Sequence, residues 1–282
     1  MRHAMRIAIV TDSHLSARAP ECVRNWQAAA DAVARLGVDL TVHLGDITTD
    51  GQSHPDEIAF AAELLRGWPT PLRCIPGNHD VGDGSGEAPL DRGLRGAYER
   101  AFGADRWAVR AGRWELIGLN AQLFATDTAE EAVQWRWLEA LPADAADHDG
   151  AMHRVLLLHR PLLRPSAAER SRTRGRYVDD AASRRLIEGP LGGTLRLVLS
   201  GHTHQFLDWR DHASGVRHVW LPSTGFVLPD AMQPRVGEKI VGLGLLDLQE
   251  GGDAAPRVDV WCPDGMLRHD LAELAMYADL RH

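Results

Sequence analysis

The 282-residue chain carries 31 Lys and Arg against 39 Asp and Glu, a formal net charge of −8, with 44% hydrophobic and 25% charged residues. This is the composition of a globular protein long enough to bury a sizeable core, and its acidic balance argues against a domain that tracks long nucleic acid. Three widely spaced cysteines (Cys22, Cys74 and Cys262) give neither a disulfide framework nor a thiolate metal site. The N-terminal segment lacks the apolar core and cleavage site of a signal peptide, and no apolar run is long enough to span a membrane, so a cytoplasmic location is expected.

In chain order, the first third alternates strand and helix. "RIAIVT" (Arg6–Thr11) is a β-branched run that reads as a buried strand, and "ECVRNWQAAADAVARLG" has helical spacing that ends at Gly37 as a C-cap. "LTVHL" (Leu40–Leu44) predicts a second strand, Pro55 to Leu65 a second helix, and "LRCI" (Leu72–Ile75) a third strand. This alternation implies right-handed crossovers and a largely parallel sheet. Leu90–Phe102 predicts a helix, two short strands flank "RAGRW", and "AEEAVQWRWLEAL" (Ala129–Leu141) reads as an amphipathic helix. "RVLLL" (Arg154–Leu158) is a strand leading into a loop with Arg160, Arg164, Arg170, Arg172, Arg174 and Arg176. "LRLVLS" (Leu195–Ser200) is a strand leading into "GHTH", and the last third reads as strands joined by Gly, Pro and Asp turns. No linker, repeat or low-complexity tract intervenes, so residues 1–282 are expected to form one α/β domain with two sheets.

Each strand end in the α/β part carries polar side chains that packing does not require. "VTDSHL" puts Asp12 and His14 after the first strand, and "HLGDIT" puts Asp46 after the second. "IPGNHDVG" puts Asn78, His79 and Asp80 after the third, "LLLHRP" puts His159 after a later strand, and "LSGHTH" adds His202 and His204. In open α/β sheets, ligands bind outside the carboxyl ends of strands, and carboxylates, imidazoles and an amide are metal-ligand types. Singly, each motif has an ordinary explanation: a helix cap, a Gly-Asp turn or a satisfied core histidine. Five such blocks, each closing an apolar run, are not explained that way.

The succession D-x-H, G-D, G-N-H-D, H, G-H-x-H between Arg6 and His204 resembles the calcineurin-like metallophosphoesterase superfamily. It is most similar to the bacterial phosphodiesterases that include the class III cyclic nucleotide and glycerophosphodiester enzymes; "WRWLEALPAD", "RPLLRP" and "GEKIVGLGLLDL" also look like stretches around those blocks. The resemblance implies a four-layer α/β/β/α sandwich of two mixed β-sheets flanked by helices. It implies one metal held by Asp12, His14, Asp46 and His204, and a second held by Asp46, Asn78, His159 and His202, with Asp46 bridging. Asn78 and His79 would also face substrate, His79 as a general acid or phosphate-binding group, with Asp80 orienting its imidazole. Gly201 would let the backbone turn tightly enough for both following rings to reach the centre. Two transition-metal ions about 3.5–4 Å apart would activate a bridging water and clamp the phosphoryl oxygens. Imidazole and oxygen ligands without thiolate suit Mn, Fe, Zn or Co.

Similar chains often carry a second histidine where Arg160 stands, which makes Arg160 a candidate substrate-binding residue and the arginine loop a candidate lid or electrostatic funnel. The expected activity is hydrolysis of a small phosphodiester of cyclic nucleotide or glycerophosphodiester type by a metal-activated hydroxide. A broad phosphomonoesterase is the alternative. A nuclease fits the acidic balance less well, and a non-catalytic scaffold of the same fold would show eroded ligands. No membrane partner is expected; the residues past Gly225 are expected to cover the cleft or to form a homo-oligomer surface. His43, Trp26, Trp68, Trp135 and Trp137 are expected in the core and His54 on a surface loop, while Asn120 is a candidate to line the site.

Overall fold

The structure, a computed structural model, describes residues 3–83, 90, 92–142, 152–165, 175–250 and 255–277. Its first half runs β1 (His3–Val10), α1 (Pro20–Leu36), β2 (Leu40–His43), α2 (Asp56–Arg66), β3 (Leu72–Cys74), α3 (Asn78–Val81) and α4 (Arg92–Phe102). A hairpin of β4 (Trp107–Ala111) and β5 (Trp114–Gly118) leads to α5 (Ala129–Glu139), β6 (His153–Leu158), α6 (Asp180–Glu188) and β7 (Leu195–Ser200). The chain closes with β8 (Leu207–Arg210), β9 (Arg217–Trp220), β10 (Leu243–Gln249) and β11 (Arg257–Trp261). One sheet has the order β11-β10-β1-β2-β3 and the other β4-β5-β6-β7-β9-β8.

Side chains alternate between the two faces of a strand, and this alternation sets the layering. In β1, Ile7 and Ile9 enter a core shared with Leu116, Val155, Leu157, Leu197 and Leu199 of the other sheet. Ala8 and Val10 point the opposite way, into a core with Trp26, Ala29 and Val33 of α1 and Ala61 of α2. In β6 the same rule sends Leu156 and Leu158 outward against Trp135 and Leu138 of α5 and Leu186 of α6. The result is a four-layer α/β/β/α sandwich of two mixed sheets. Strands β1, β2 and β3 are parallel, as the alternation implies, whereas β10 and β11 add antiparallel neighbours.

Local chemistry explains the element ends. Pro20 starts α1 and Gly37, at φ 61°, ends it in the left-handed region. Three elements are additions to the sequence reading: the single-turn α3, α6 and β8. Helix α6 follows Asp179, whose carboxylate accepts from the Ala181 and Ala182 amides at 2.9 and 3.2 Å. Strand β8 pairs antiparallel with β9 at the sheet edge. Of the arginine loop, Arg170, Arg172 and Arg174 lie outside the described residues. Arg164 pairs with Asp180 at 2.8 Å. Among the described residues no helix is long and apolar enough to cross a membrane.

The start of β6, at the opposite end of the strand from His159, holds a buried ion pair. Arg154 and Glu115 are each 2% exposed and meet at 2.9 Å, and Arg154 also donates to the Pro190 and Pro142 carbonyls at 2.9 and 2.5 Å. Breaking a buried pair costs about 3–5 kcal/mol, and without Arg154 the buried Glu115 keeps the more exposed Arg110 at 3.1 Å, which places the loss toward the lower end. Urea titration of Arg154→Met should show a loss of that order, and the Arg154→Met/Glu115→Leu double variant should recover part of it.

Candidate dinuclear metal centre

The strand register delivers the first ligand-type residues together. Residues Ile7–Val10 of β1 pair in parallel with Leu40–His43 of β2, so both strands end at one level. Beyond them the loops stay zipped: the Asp12, His14 and Leu15 amides donate to the carbonyls of Gly45, Asp46 and Ile47 at 2.9, 3.1 and 2.7 Å. In the second sheet the Gly201 amide donates to the His159 carbonyl at 3.0 Å. The two sheets are joined at this edge, since the Thr224 and Gly225 amides reach the Thr11 and Asp12 carbonyls, and the His202 amide reaches the Asp12 carboxylate at 3.0 Å.

Three groups of donor atoms result: Asp12 with His14 and His204, Asp46 with His159 and His202, and, linking these two, His14 with Asp46 and His79. In the first, His204 Nε2 lies 3.3 Å from Asp12 Oδ1 and 3.3 Å from His14 Nε2. In the second, His159 Nε2 lies 3.1 Å from Asp46 Oδ2, 3.1 Å from His202 Nδ1 and 3.2 Å from Asn78 Oδ1. His14 Nε2 is 3.9 Å from the same Asp46 oxygen, so that carboxylate stands between the two groups. Ligands about 2.0–2.1 Å from a common cation sit about 3.0–3.5 Å from one another.

The protonation chemistry also fits cations. His159 Nδ1 donates to the Leu44 carbonyl at 2.9 Å and His204 Nδ1 to the Phe226 carbonyl at 2.8 Å. This sets the neutral rings in the tautomer whose bare Nε2 faces the centre. The His159 Nε2 lone pair then converges with a carboxylate oxygen, an amide oxygen and another imidazole nitrogen. A single proton serves one such contact, whereas a cation serves them all. The same demand shows in the titration: burial opposes charge on His159, but Asp46 pushes it up to about 9. Burial would raise Asp12 and Asp46; the facing His204 and His159 rings hold them below the usual carboxylate range. Burial and neighbouring rings push His14 and His202 well down, leaving them neutral.

The backbone is strained where these groups meet. Asp12, His14, Asp46, His202 and His204 all have positive φ, between 47° and 68°, a region that costs a non-glycine residue of order 1–3 kcal/mol. Gly201 does not supply the turn expected of it; His202 and His204 adopt the left-handed conformation themselves. Its role is close approach, because a Cβ there would collide with Thr11 and the Asp12 carboxylate. Gly77 likewise admits Asp46, whose carboxylate accepts from the His79 amide at 2.9 Å.

Several expectations for the surroundings change. Asp80 does not orient His79. Its carboxylate is taken by the Thr48 amide and hydroxyl, both at 2.9 Å, the Gly77 amide at 2.9 Å and the Ile47 amide at 3.2 Å, so it clamps the Asp46 and Asn78 loops to each other. Burial and the nearby Asp46 raise it to about 6 against those donors. His79 lines the cleft, its ring 5.0 Å from that of His14 and its buried Nδ1 without a partner. Arg160 is not among the cleft-lining side chains. It is 7% exposed and drawn to Asp83, whose carbonyl it meets at 3.4 Å; Arg176 lines the cleft instead. Asn120 caps a short turn and bonds Asp105 at 3.2 Å, lining a separate cavity with Arg92 and Glu130.

His43 is buried, as expected, but is tied to the site. The Gly45 amide donates to its Nδ1 at 3.2 Å, so Nε2 carries the hydrogen toward Ser13 Oγ at 2.8 Å. That tautomer cannot take a proton from Ser13, so the pair positions the Asp12–His14 turn and is not a nucleophile with its base. The sequence reading also passed over Thr11, whose hydroxyl donates to Asp12 at 2.6 Å, and Phe226, whose ring stands 4.7 Å from both His14 and His204. Phe226 follows "LPSTG", the stretch just after β9, so the strand-end rule applied once more would have reached it.

The cleft holds about 360 Å³, within the range of about 300–1,000 Å³ usual for small-molecule sites. Besides the metal-ligand types it is lined by Phe226, Leu228, Met232, Leu271 and Tyr277. Several residues past Gly225 thus line the cleft.

The same architecture is found in solved structures. A dimetal phosphatase from Danio rerio is 13% identical, with a TM-score of 0.58 over 88% of this chain and 94% of that one. GAP50, the anchor in the inner membrane complex of Plasmodium, is 12% identical, with a TM-score of 0.60 over 91% and 84%. The purple acid phosphatase PPD1 from yellow lupin (Lupinus luteus) is 15% identical, with a TM-score of 0.57 over 86% and 49%. At these identities the likeness concerns the fold. No curated protein matches the chain in sequence. Residues 5–206, from β1 past the last of the paired histidines, match the family described as Calcineurin-like phosphoesterase. The chain therefore belongs to the calcineurin-like phosphoesterase family and is a metal-dependent hydrolase of phosphoric esters.

Proposed function

We propose that the protein is a phosphodiesterase acting on small diesters, working as one domain over residues 1–282. The observation that carries the reading is the Asp46 carboxylate standing between two donor groups, 3.1 Å from His159 Nε2 and 3.9 Å from His14 Nε2. Asp12, His14, Asp46 and His204 would hold one transition-metal ion, and Asp46, Asn78, His159 and His202 would hold the second. Mn, Fe or Zn suits these imidazole and oxygen donors. Bound there, the two ions lower the pKa of water and offset charge on the phosphoryl oxygens.

The side chains do the rest. The buried Asp46 offsets the repulsion of two neighbouring cations. Leu44 and Phe226, accepting from His159 and His204, keep the rings turned toward the centre. Phe226 excludes water from one side of the His14 and His204 rings, which strengthens electrostatic contacts within the site. His79 stands over the cleft, its carbonyl held by Thr48 Oγ1 at 3.1 Å and the Gln52 amide at 3.2 Å. From there its ring donates a proton to the departing alkoxide oxygen.

The diester reading is supported by the uncharged wall of Phe226, Leu228 and Met232, which offers a second ester group a place. The alternative is a phosphomonoesterase. Arg176, 6% exposed and lining the same cleft, favours it, because a guanidinium suits a doubly charged phosphoryl group.

Elemental analysis after reconstitution with Mn or Fe should find two ions per chain. Asp46→Ala should lose more metal and activity than His14→Ala, since it removes a ligand from both ions; equal, mild losses would contradict the bridging role. Bis(p-nitrophenyl) phosphate should give a higher kcat/KM than p-nitrophenyl phosphate at neutral pH, and the reverse order supports the monoesterase. His79→Ala should lose about 10²–10⁴-fold in rate on an alkyl ester, clearly less on a p-nitrophenyl ester, and no metal. An equal loss on both esters would make His79 a phosphate-binding group.

A further inference from the structure

The chain contains a single lysine, Lys239, and it is buried. Its ammonium donates to the Leu228 carbonyl at 2.8 Å and the Gln233 carbonyl at 2.6 Å, and pairs with Asp230 at 2.7 Å. An ammonium has three hydrogens, and all three are taken. Gln205, the residue after His204, completes the hold. Its side-chain amide donates to Gln233 Oε1 at 2.6 Å and the Pro234 carbonyl at 3.1 Å, and accepts from the Val236 and Gly237 amides at 2.8 and 2.9 Å.

A buried ammonium is costly unless its partners are well placed, and here they all belong to the segment from Leu228 to Gln233. That segment, pinned at both ends, brings Leu228, Met232 and Gln233 to the cleft beside Phe226, Leu271 and Tyr277. Met232 is 52% exposed, one of the few large apolar side chains left open to water among the described residues. Burial and the nearby Asp50 push the Tyr277 phenol up to about 12, so it stays neutral. Phe226, Leu228, Met232, Gln233, Leu271 and Tyr277 all lie beyond residue 206, where the family match ends.

We propose that the rim anchored by Lys239 selects phosphoric esters whose ester group beside the metal centre is aryl or alkyl over those carrying glycerol or a sugar. This rests on the phosphoesterase reading of the same cleft and names the class of substrate it takes. The apolar group is covered by Leu228, Met232 and Leu271, with the Met232 thioether adapting to its shape. Lys239 touches no substrate atom; it is a positioning residue that keeps the rim in place.

Calorimetry with two non-hydrolysable phosphonates tests this without turnover. Phenylphosphonate should bind the Mn-loaded protein about ten- to a hundredfold more tightly than 2,3-dihydroxypropylphosphonate, whose substituent is that of glycerol, as burial of one phenyl group gives. Leu228→Ser and Met232→Ser, at the open side of the cleft, should each shrink that ratio. Lys239→Met should shrink it too, a change that a general loss of stability does not produce. In the wild type, reductive methylation of the Lys239 amine should be slow in the native state, read by mass spectrometry of its peptide. Equal binding of the two phosphonates overturns the rim inference alone, as does a ratio that none of the three variants moves. Rapid methylation of native Lys239 overturns the anchoring. If neither phosphonate binds, the phosphoesterase reading of the cleft fails, and the inference fails with it.

Discussion

The structure depends on keeping two carboxylates, Asp12 and Asp46, ionised at a buried edge where two sheets meet. They are 0% and 2% exposed, and an isolated carboxylate withdrawn that far from water becomes protonated unless positive charge stands beside it. The imidazoles of His159 and His204 face them from the other sheet at 3.1 and 3.3 Å. Each ring is in turn aimed by a backbone carbonyl, which leaves bare lone pairs converging on a common point. Cations at those points resolve the charge and the lone pairs together, and metal dependence follows from that geometry.

Much of the fold serves to bring those groups together. The parallel register of β1 and β2 ends both strands at one level, and the inter-sheet core of Ile7, Ile9, Val155 and Leu197 fixes how far apart the two sheets stand. The left-handed turns at Asp12, His14, Asp46, His202 and His204 are unfavourable locally. They persist because hydrogen bonds between neighbouring loops over-determine them. Ser13 bonds His43, Asp80 bonds both the Thr48 and Gly77 backbones, and Ser223 donates to the Asp12 carbonyl at 2.9 Å. Strain of this kind, held by a rigid surrounding, orders the donor atoms in advance of any ion.

The cleft has two sides of different origin. The polar side comes from strand ends within residues 5–206, where the family match lies. The apolar side comes from later segments: Phe226 packed on the ligand rings, the Leu228–Gln233 rim, Leu271 and Tyr277. Phosphoryl chemistry requires the first side in nearly any substrate, whereas the second meets the part of the substrate that differs between esters. One fold can thus keep its chemistry while its specificity is set by other segments.

The metal-ligand types were legible in the sequence because each sits directly after an apolar strand, and both strand periodicity and ligand chemistry are local. The alternation of strand and helix was legible for the same reason, as was the end of α1 at Gly37, where a residue without a side chain meets a positive φ; the four-layer arrangement was implied by the family resemblance. Other features depended on what lies across the fold. Asp80 reads as a partner for its neighbour His79, yet the Thr48 and Gly77 amides reach it first. Arg160 reads as a phosphate ligand until Asp83 draws it aside and Arg176, sixteen positions further along the chain, takes the lining position. Lys239 stands out in the sequence only as its sole lysine, and its carbonyl partners are found only in the folded chain. A strand end carries its chemistry in adjacent residues, so the sequence by itself determined which metal-ligand types close the strands. Hydrogen-bond partners and cleft walls are chosen by distance in space, and for those the tertiary structure decided.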